Sequence, residues 1–207
     1  MTRSAAIVLA LATVLAACQT GTPSGSGGPG SSQIGTSPID PAMTVGPPPS
    51  PTPDDATPAV IDAALLEYLP EAVAGAPVTE ALDEAALALA DPALPRIATA
   101  LDVGLALDET TGNLVTAHVV RLRVGAFTDD TYRQWRDSYD EGACAAAGGV
   151  VGRAEATIDE RTVHVTSCVA GLRTYHVWIE DEHLLISASS VGDGRFGELL
   201  MSELRVE

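Results

Sequence analysis

The sequence predicts an α+β domain: an antiparallel β-sheet meander with helices packed on one face, following a disordered Pro/Gly/Ser tether. Three patterns predict it. Residues 154–190 break into four short runs in which apolar residues alternate with polar ones, separated by turn-forming residues. Helical periodicity comes in blocks before, between and after the strand runs, not in regular βαβ alternation. Residues 19–58 hold 7 Gly, 10 Pro, 6 Ser and 6 Thr in 40 positions, with no apolar repeat able to bury a face.

Taken in order, the chain opens with Arg3 and an apolar run, Ala5 to Leu15, of eleven residues. That is the length of a signal-peptide core and too short to cross a bilayer. The run ends in Leu15-Ala16-Ala17-Cys18, which resembles the lipobox of bacterial lipoprotein precursors. The resemblance implies that residues 1–17 are a signal peptide cut before Cys18, and that the Cys18 sulfur carries a diacylglyceryl group. It also implies that the remaining 190 residues lie outside the cytoplasm, held to the bacterial cell membrane through the acyl groups of Cys18. The alternative is an ordinary secretory signal that happens to contain a cysteine. Residues 18–58 then form the lipidated Cys and the tether, with a root-mean-square reach of about 35 Å. Within it, Gly25-Ser26-Gly27-Gly28-Pro29-Gly30 matches a dinucleotide fingerprint in letters only, because neither a preceding strand nor a following helix is present.

Residues 59–207 are read as one acidic domain. They carry 10 Arg and 25 acids, a net charge of −15, and the whole chain has no lysine. Such a surface repels phosphate backbones, so nucleic acid is excluded as a partner. The charge serves solubility, and it also suits a basic partner or another protein of the cell envelope.

Ile61 to Leu69 reads as a short helix ended by Pro70. Thr79 is the expected cap of a helix over 80–90, and Asp91-Pro92 of a further short one. Leu101, Val103, Leu105 and Leu107 alternate with polar or small residues. With the β-branched run Leu114 to Val124 they predict a hairpin across the 108–113 turn. The acids of that turn lack the spacing of a calcium loop.

Thr128 to Ala147 is the clearest helix. Thr128 caps it and Tyr132, Trp135 and Tyr139 make a core stripe, while Arg136 and Asp140 read as a solvated i, i+4 pair. Strands are expected over 154–158, 162–168, 172–179 and 183–190, and Asp193 should cap a last helix over 194–204.

With Cys18 lipidated, Cys144 and Cys168 remain as a pair in an oxidising compartment, which favours a disulfide over two free thiols or a metal site. Histidine is the other candidate for chemistry. A three-residue loop at 169–171 sets His164 opposite His176, whereas a two-residue loop points them to opposite faces. If His183 joined them, a three-histidine zinc site would result. The plainer expectation places all three on a solvated sheet face. No nucleophile elbow, H-E-x-x-H or phosphate loop is present; Ser167, Ser187, Ser189 and Ser190 read as small strand residues, and Glu180, Asp181 and Glu182 as an exposed tip. The expected function is therefore that of a non-catalytic binding or interaction domain without a cofactor, the alternative being a zinc protein or hydrolase using His164, His176 and His183.

Overall fold

The computed structural model describes residues 57–206. The signal peptide, Cys18 and all but the last two residues of the expected tether lie outside the described residues. The described part is α+β: nine strands form one sheet and helices cover it. The strands are β1 (Val60–Ile61), β2 (Ala72–Val73), β3 (Ala76–Glu80), β4 (Ala98–Asp108), β5 (Asn113–Leu122), β6 (Val150–Ile158), β7 (Arg161–Cys168), β8 (Arg173–Ile179) and β9 (Leu184–Val191). The helices are α1 (Leu82–Leu89), α2 (Leu94–Ile97), α3 (Asp129–Ala145) and α4 (Phe196–Ser202), with a 3-10 helix over Ala63–Tyr68. Strand order is β2-β3-β4-β5-β9-β8-β7-β6, antiparallel throughout, and β1 adds in parallel to β4.

The expected hairpin is β4–β5, whose Asp108 carboxylate accepts the Thr110 N–H at 2.9 Å and the Thr111 hydroxyl at 2.6 Å. Those bonds hold the Asp108 carboxyl below the usual carboxylate range, first through Thr111. The meander β6-β7-β8-β9 also forms, and the β9 edge pairs with β5 to join the two halves.

Several details differ from expectation; Asp91-Pro92 does not cap α2, whose N-cap is Ala93, and Ile61 belongs to β1 and not to the first helix. Helices cover both faces of the sheet, not one. Leu65, Leu69, Phe196, Leu200 and Met201 pack with Val119, Tyr175, Val177 and Ile186 on one side. Ala85, Leu94, Tyr132 and Trp135 pack with Val103, Val120 and Leu185 on the other. The cause lies in β4, β5, β8 and β9, whose two alternating residue sets are both largely buried and so need cover on either side.

Thr79 caps no helix, because it pairs with Leu105 as part of β3, and α1 starts only at Leu82. Extended pairing satisfies this segment's backbone and half-buries Val78 against the core. Nor does Asp193 cap α4. The Asn113 side chain takes the Gly194 N–H at 2.9 Å, and the chain turns into the helix through Arg195 at a φ of 54°.

The longest helix follows expectation. The Thr128 hydroxyl accepts the Thr131 N–H at its start, and Gly148 and Gly149 follow its end at φ of 87° and 99°. Cys144 near its C-terminus is bonded to Cys168 at the end of β7, their Cα atoms 5.2 Å apart.

Candidate functional site

The sheet face beneath α3 is polar. Register places His164 of β7, His176 of β8, Ser187 of β9 and His118 of β5 in one transverse row. Thr166, Thr174, Ser189 and Thr116 form the next row. Period-2 alternation puts all eight on the same face, and α3 lies across them. The expectation of a solvated face is thus corrected: Thr166, Thr174, His176, Ser187 and Ser189 are buried, because the aromatic stripe of α3 needs a surface to cover and lies across these rows.

Asp140 is the centre of the arrangement. Four residues after Arg136 and eight after Tyr132, it lies on the inward side of α3 and has no exposed surface. It is not the solvated partner of Arg136, whose guanidinium instead reaches Asp137 at 3.4 Å and His164 Nδ1 at 2.8 Å. The Asp140 carboxylate accepts the Thr166 hydroxyl at 2.5 Å, the Thr174 hydroxyl, His176 Nε2–H at 2.9 Å and, more weakly, Arg153 Nε–H at 3.5 Å.

Donor inventory fixes the direction of the rest. Trp135 Nε1–H has only a proton to give and donates to Ser187 Oγ at 3.0 Å. Ser187 O–H donates in turn to His176 Nδ1 at 2.9 Å, so His176 is the neutral Nε2–H tautomer that donates to Asp140. The chain Trp135→Ser187→His176→Asp140 leaves both His176 nitrogens satisfied. Burial disfavours the charged imidazole and pushes the His176 pKa down, against the pull of Asp140. At Asp140 burial works toward the neutral acid, but the bonds from His176, Thr166 and Thr174 prevail and hold its pKa below the ordinary value.

Tyr139 braces the rows from above. Its ring meets His118 and His176 edge-on, with centroids 5.7 Å and 5.0 Å away, and its hydroxyl lies 3.1 Å from Ser189 Oγ and 3.3 Å from His118 Nδ1. Burial raises the Tyr139 pKa to about 12 and lowers that of His118 to about 4. The histidines beside this phenol are therefore neutral bases, and the phenol itself is protonated.

Of the histidines singled out from sequence, His164 and His176 do face each other, as the three-residue loop requires. His183 does not join them. It sits in the turn before β9 with a φ of 51°, exposed. Among the described residues no group of three or more His, Cys, Asp or Glu side chains is placed to hold a metal ion. His164 Nδ1 already accepts a hydrogen bond from the Arg136 guanidinium, a cation where an ion would have to stand. Burial and that guanidinium both push the His164 pKa down. Glu180, Asp181 and Glu182 form the expected tip between β8 and β9, and Cys18 lies outside the described residues.

Serine, histidine and aspartate in hydrogen-bonded sequence are the members of a nucleophilic relay. Here Asp140, His176 and Ser187 each have 0 % of their surface exposed, and Ser187 Oγ is also held by Trp135. A nucleophile must reach a substrate carbon. This one is sealed between helix and sheet, and its chemistry is that of a polar core. Comparison with known proteins returns no match to a family model, a curated protein or a solved structure.

Proposed function

We propose that this chain is a lipoprotein of the bacterial cell envelope, anchored through acylated Cys18, whose acidic domain works by presenting surface to a partner and not by catalysis. The observation that carries the non-catalytic reading is the closure of the Asp140–His176–Ser187 chain. The described residues bring their reactive groups together there, and each of these groups is spent on another side chain of the same core. The anchoring half rests on the residues of the lipobox, Leu15-Ala16-Ala17-Cys18. A tether with a reach of about 35 Å suits a domain that searches for its partner from a fixed point. A field of net −15 on residues 59–207 favours a basic partner and speeds encounter with it.

The test uses the full chain expressed in a bacterial host. Wild type should partition into the detergent phase, and Cys18→Ser should move to the aqueous phase. Both should be inactive against ester, amide and glycoside substrates and should carry no stoichiometric zinc. Membrane retention of Cys18→Ser overturns the anchor. Hydrolysis abolished by Ser187→Ala or His176→Ala in a folded protein, or zinc lost in His164→Ala, overturns the binding reading in favour of the enzyme or metal alternative.

A further inference from the structure

β6 ends the sheet, and residues 151–155 are all exposed along it, Val151 at 67 %. The opposite end of the order is closed by brevity, since β2 has two residues. Natural sheets blunt long edges with charged side chains, proline, bulges or short strands. β6 runs for nine residues without proline, and its two charged residues, Arg153 and Glu155, are of opposite sign. Its one irregularity, between Val150 and Gly152, sits at the start, and Gly152 to Ile158 pair regularly with β7.

We propose that the free edge of β6 is a docking edge for a second copy of this chain, the two strands pairing antiparallel about a two-fold axis at Ala154. Read against its own reverse with Ala154 on the axis, the strand is self-complementary. Over residues 152–156, past the irregularity, Arg153 meets Glu155 and Gly152 meets Ala156. Charges oppose and small residues meet at the centre, as favourable cross-strand pairs do.

The faces agree as well. Arg153 lies opposite Thr166 and Glu155 opposite His164, so both belong to the α3 side of the sheet. A two-fold axis perpendicular to the sheet keeps that side in common, and the sheet continues from one copy into the other. The neighbouring registers that preserve the faces fail on charge. Centring on residue 153 sets Arg153 against Arg153, and centring on residue 155 sets Glu155 against Glu155. Only the Ala154 centre pairs opposite signs. The pairing depends on β6 alone and stands apart from the anchoring and the partner proposed above, whose readouts are detergent partition, zinc and hydrolysis.

Two experiments on the full chain test it. In cells, Ala154→Cys should give a reducible dimer on non-reducing gels, because the two Cys would face each other, while Thr157→Cys, also exposed but three residues from the axis, should give several-fold less. In detergent solution, wild type should sediment as a dimer. Arg153→Glu and Glu155→Arg should each be monomeric, and an equimolar mixture of the two should recover the dimer, because every cross-strand pair is then of opposite sign. That recovery separates a broken interface from a misfolded variant. Equal cross-linking at 154 and 157, cross-linking of Ala154→Cys to a different protein, or a mixture of folded variants that stays monomeric overturns the proposal.

Discussion

Asp140 Oδ1 and His176 Nε2 stand 2.9 Å apart between α3 and β8, neither residue reached by solvent. The pair fastens the helix to the middle of the sheet. Leaving three buried donors without their acceptor costs about 3 kcal/mol or more, at about 1 to 3 kcal/mol for each orphaned group. Asp140→Ala orphans His176, Thr166 and Thr174 together and should lower the unfolding free energy by that amount in urea titrations. Asp140→Asn keeps one acceptor oxygen, which can still serve His176 and Thr174, and should cost less than Asp140→Ala.

Acid should loosen the domain through its histidines before its carboxylates matter. His118 is held down to about 4, first by burial, against an ordinary value of 6.5. A depressed histidine leaves the unfolded chain binding more protons between those two values, so its stabilisation is complete above pH 6.5 and drains as pH falls toward 4. The slope for one such group approaches about 1.4 kcal/mol per pH unit. Burial depresses His176 in the same direction and adds to the slope. Asp140, whose pKa is also lowered, contributes only below the ordinary carboxylate value of 3.8, outside this window. Stability measured from pH 7 to 4.5 should fall steadily, and His118→Gln should flatten the fall by roughly one group's share. An unchanged slope in His118→Gln would show that the ring titrates freely in the folded state.

The strands were legible because period-2 alternation is local, and the α3 helix because Thr128, Tyr132, Trp135 and Tyr139 mark its start and inner stripe. The covered polar rows were not. Their assembly depends on β5 pairing with β9, strands separated in sequence by the whole of α3 and three other strands, and no local pattern carries that contact. A signal was nonetheless present. The polar alternates of β8 and β9 are Thr174, His176, Ser187 and Ser189, short or neutral groups, in a chain that meets water with Asp, Glu and Arg. Asp140 carried one too, since its spacing of four from Arg136 and eight from Tyr132 follows the stripe inward. The 76–80 strand stayed hidden because Thr79 and Glu80 look like a helix start, and only pairing with β4 outweighs that preference.

The disulfide should be a large stabiliser. Cys144 and Cys168 close a loop of 25 residues. On the chain-entropy account this constrains the unfolded state by about 3.5 kcal/mol. Tyr139, Ala143 and Leu172 pack around the bridge, tying the end of α3 to the β7–β8 turn. The Cys144→Ala/Cys168→Ala double variant should therefore unfold at markedly lower urea with unchanged secondary structure, and adding reductant to it should do nothing further. Two alkylatable thiols in native, unreduced wild type would remove the basis of this expectation.

Gly197 sets propensity against packing. It lies within α4, where replacing glycine by alanine ordinarily gains roughly 1 kcal/mol from the lower entropy of the unfolded chain. A Cβ there would stand 2.0 Å from Tyr175 Cε2 and 2.6 Å from two other ring carbons. The Tyr175 ring cannot retreat, because it is fully buried in the cluster that joins α4 to β5, β8 and β9. Overpacking of a closed core costs about 1 to 3 kcal/mol, occasionally more, and three simultaneous ring contacts put this site at the upper end. The clash should win, so Gly197→Ala is expected to destabilise by about 2 kcal/mol net. Chevron or urea measurements on Gly197→Ala, Tyr175→Leu and the double variant decide the cause. If the ring is the obstacle, the double variant should be more stable than the sum of the two single losses predicts, by 1 kcal/mol or more. Additive losses would place the cost of Gly197→Ala elsewhere than against Tyr175.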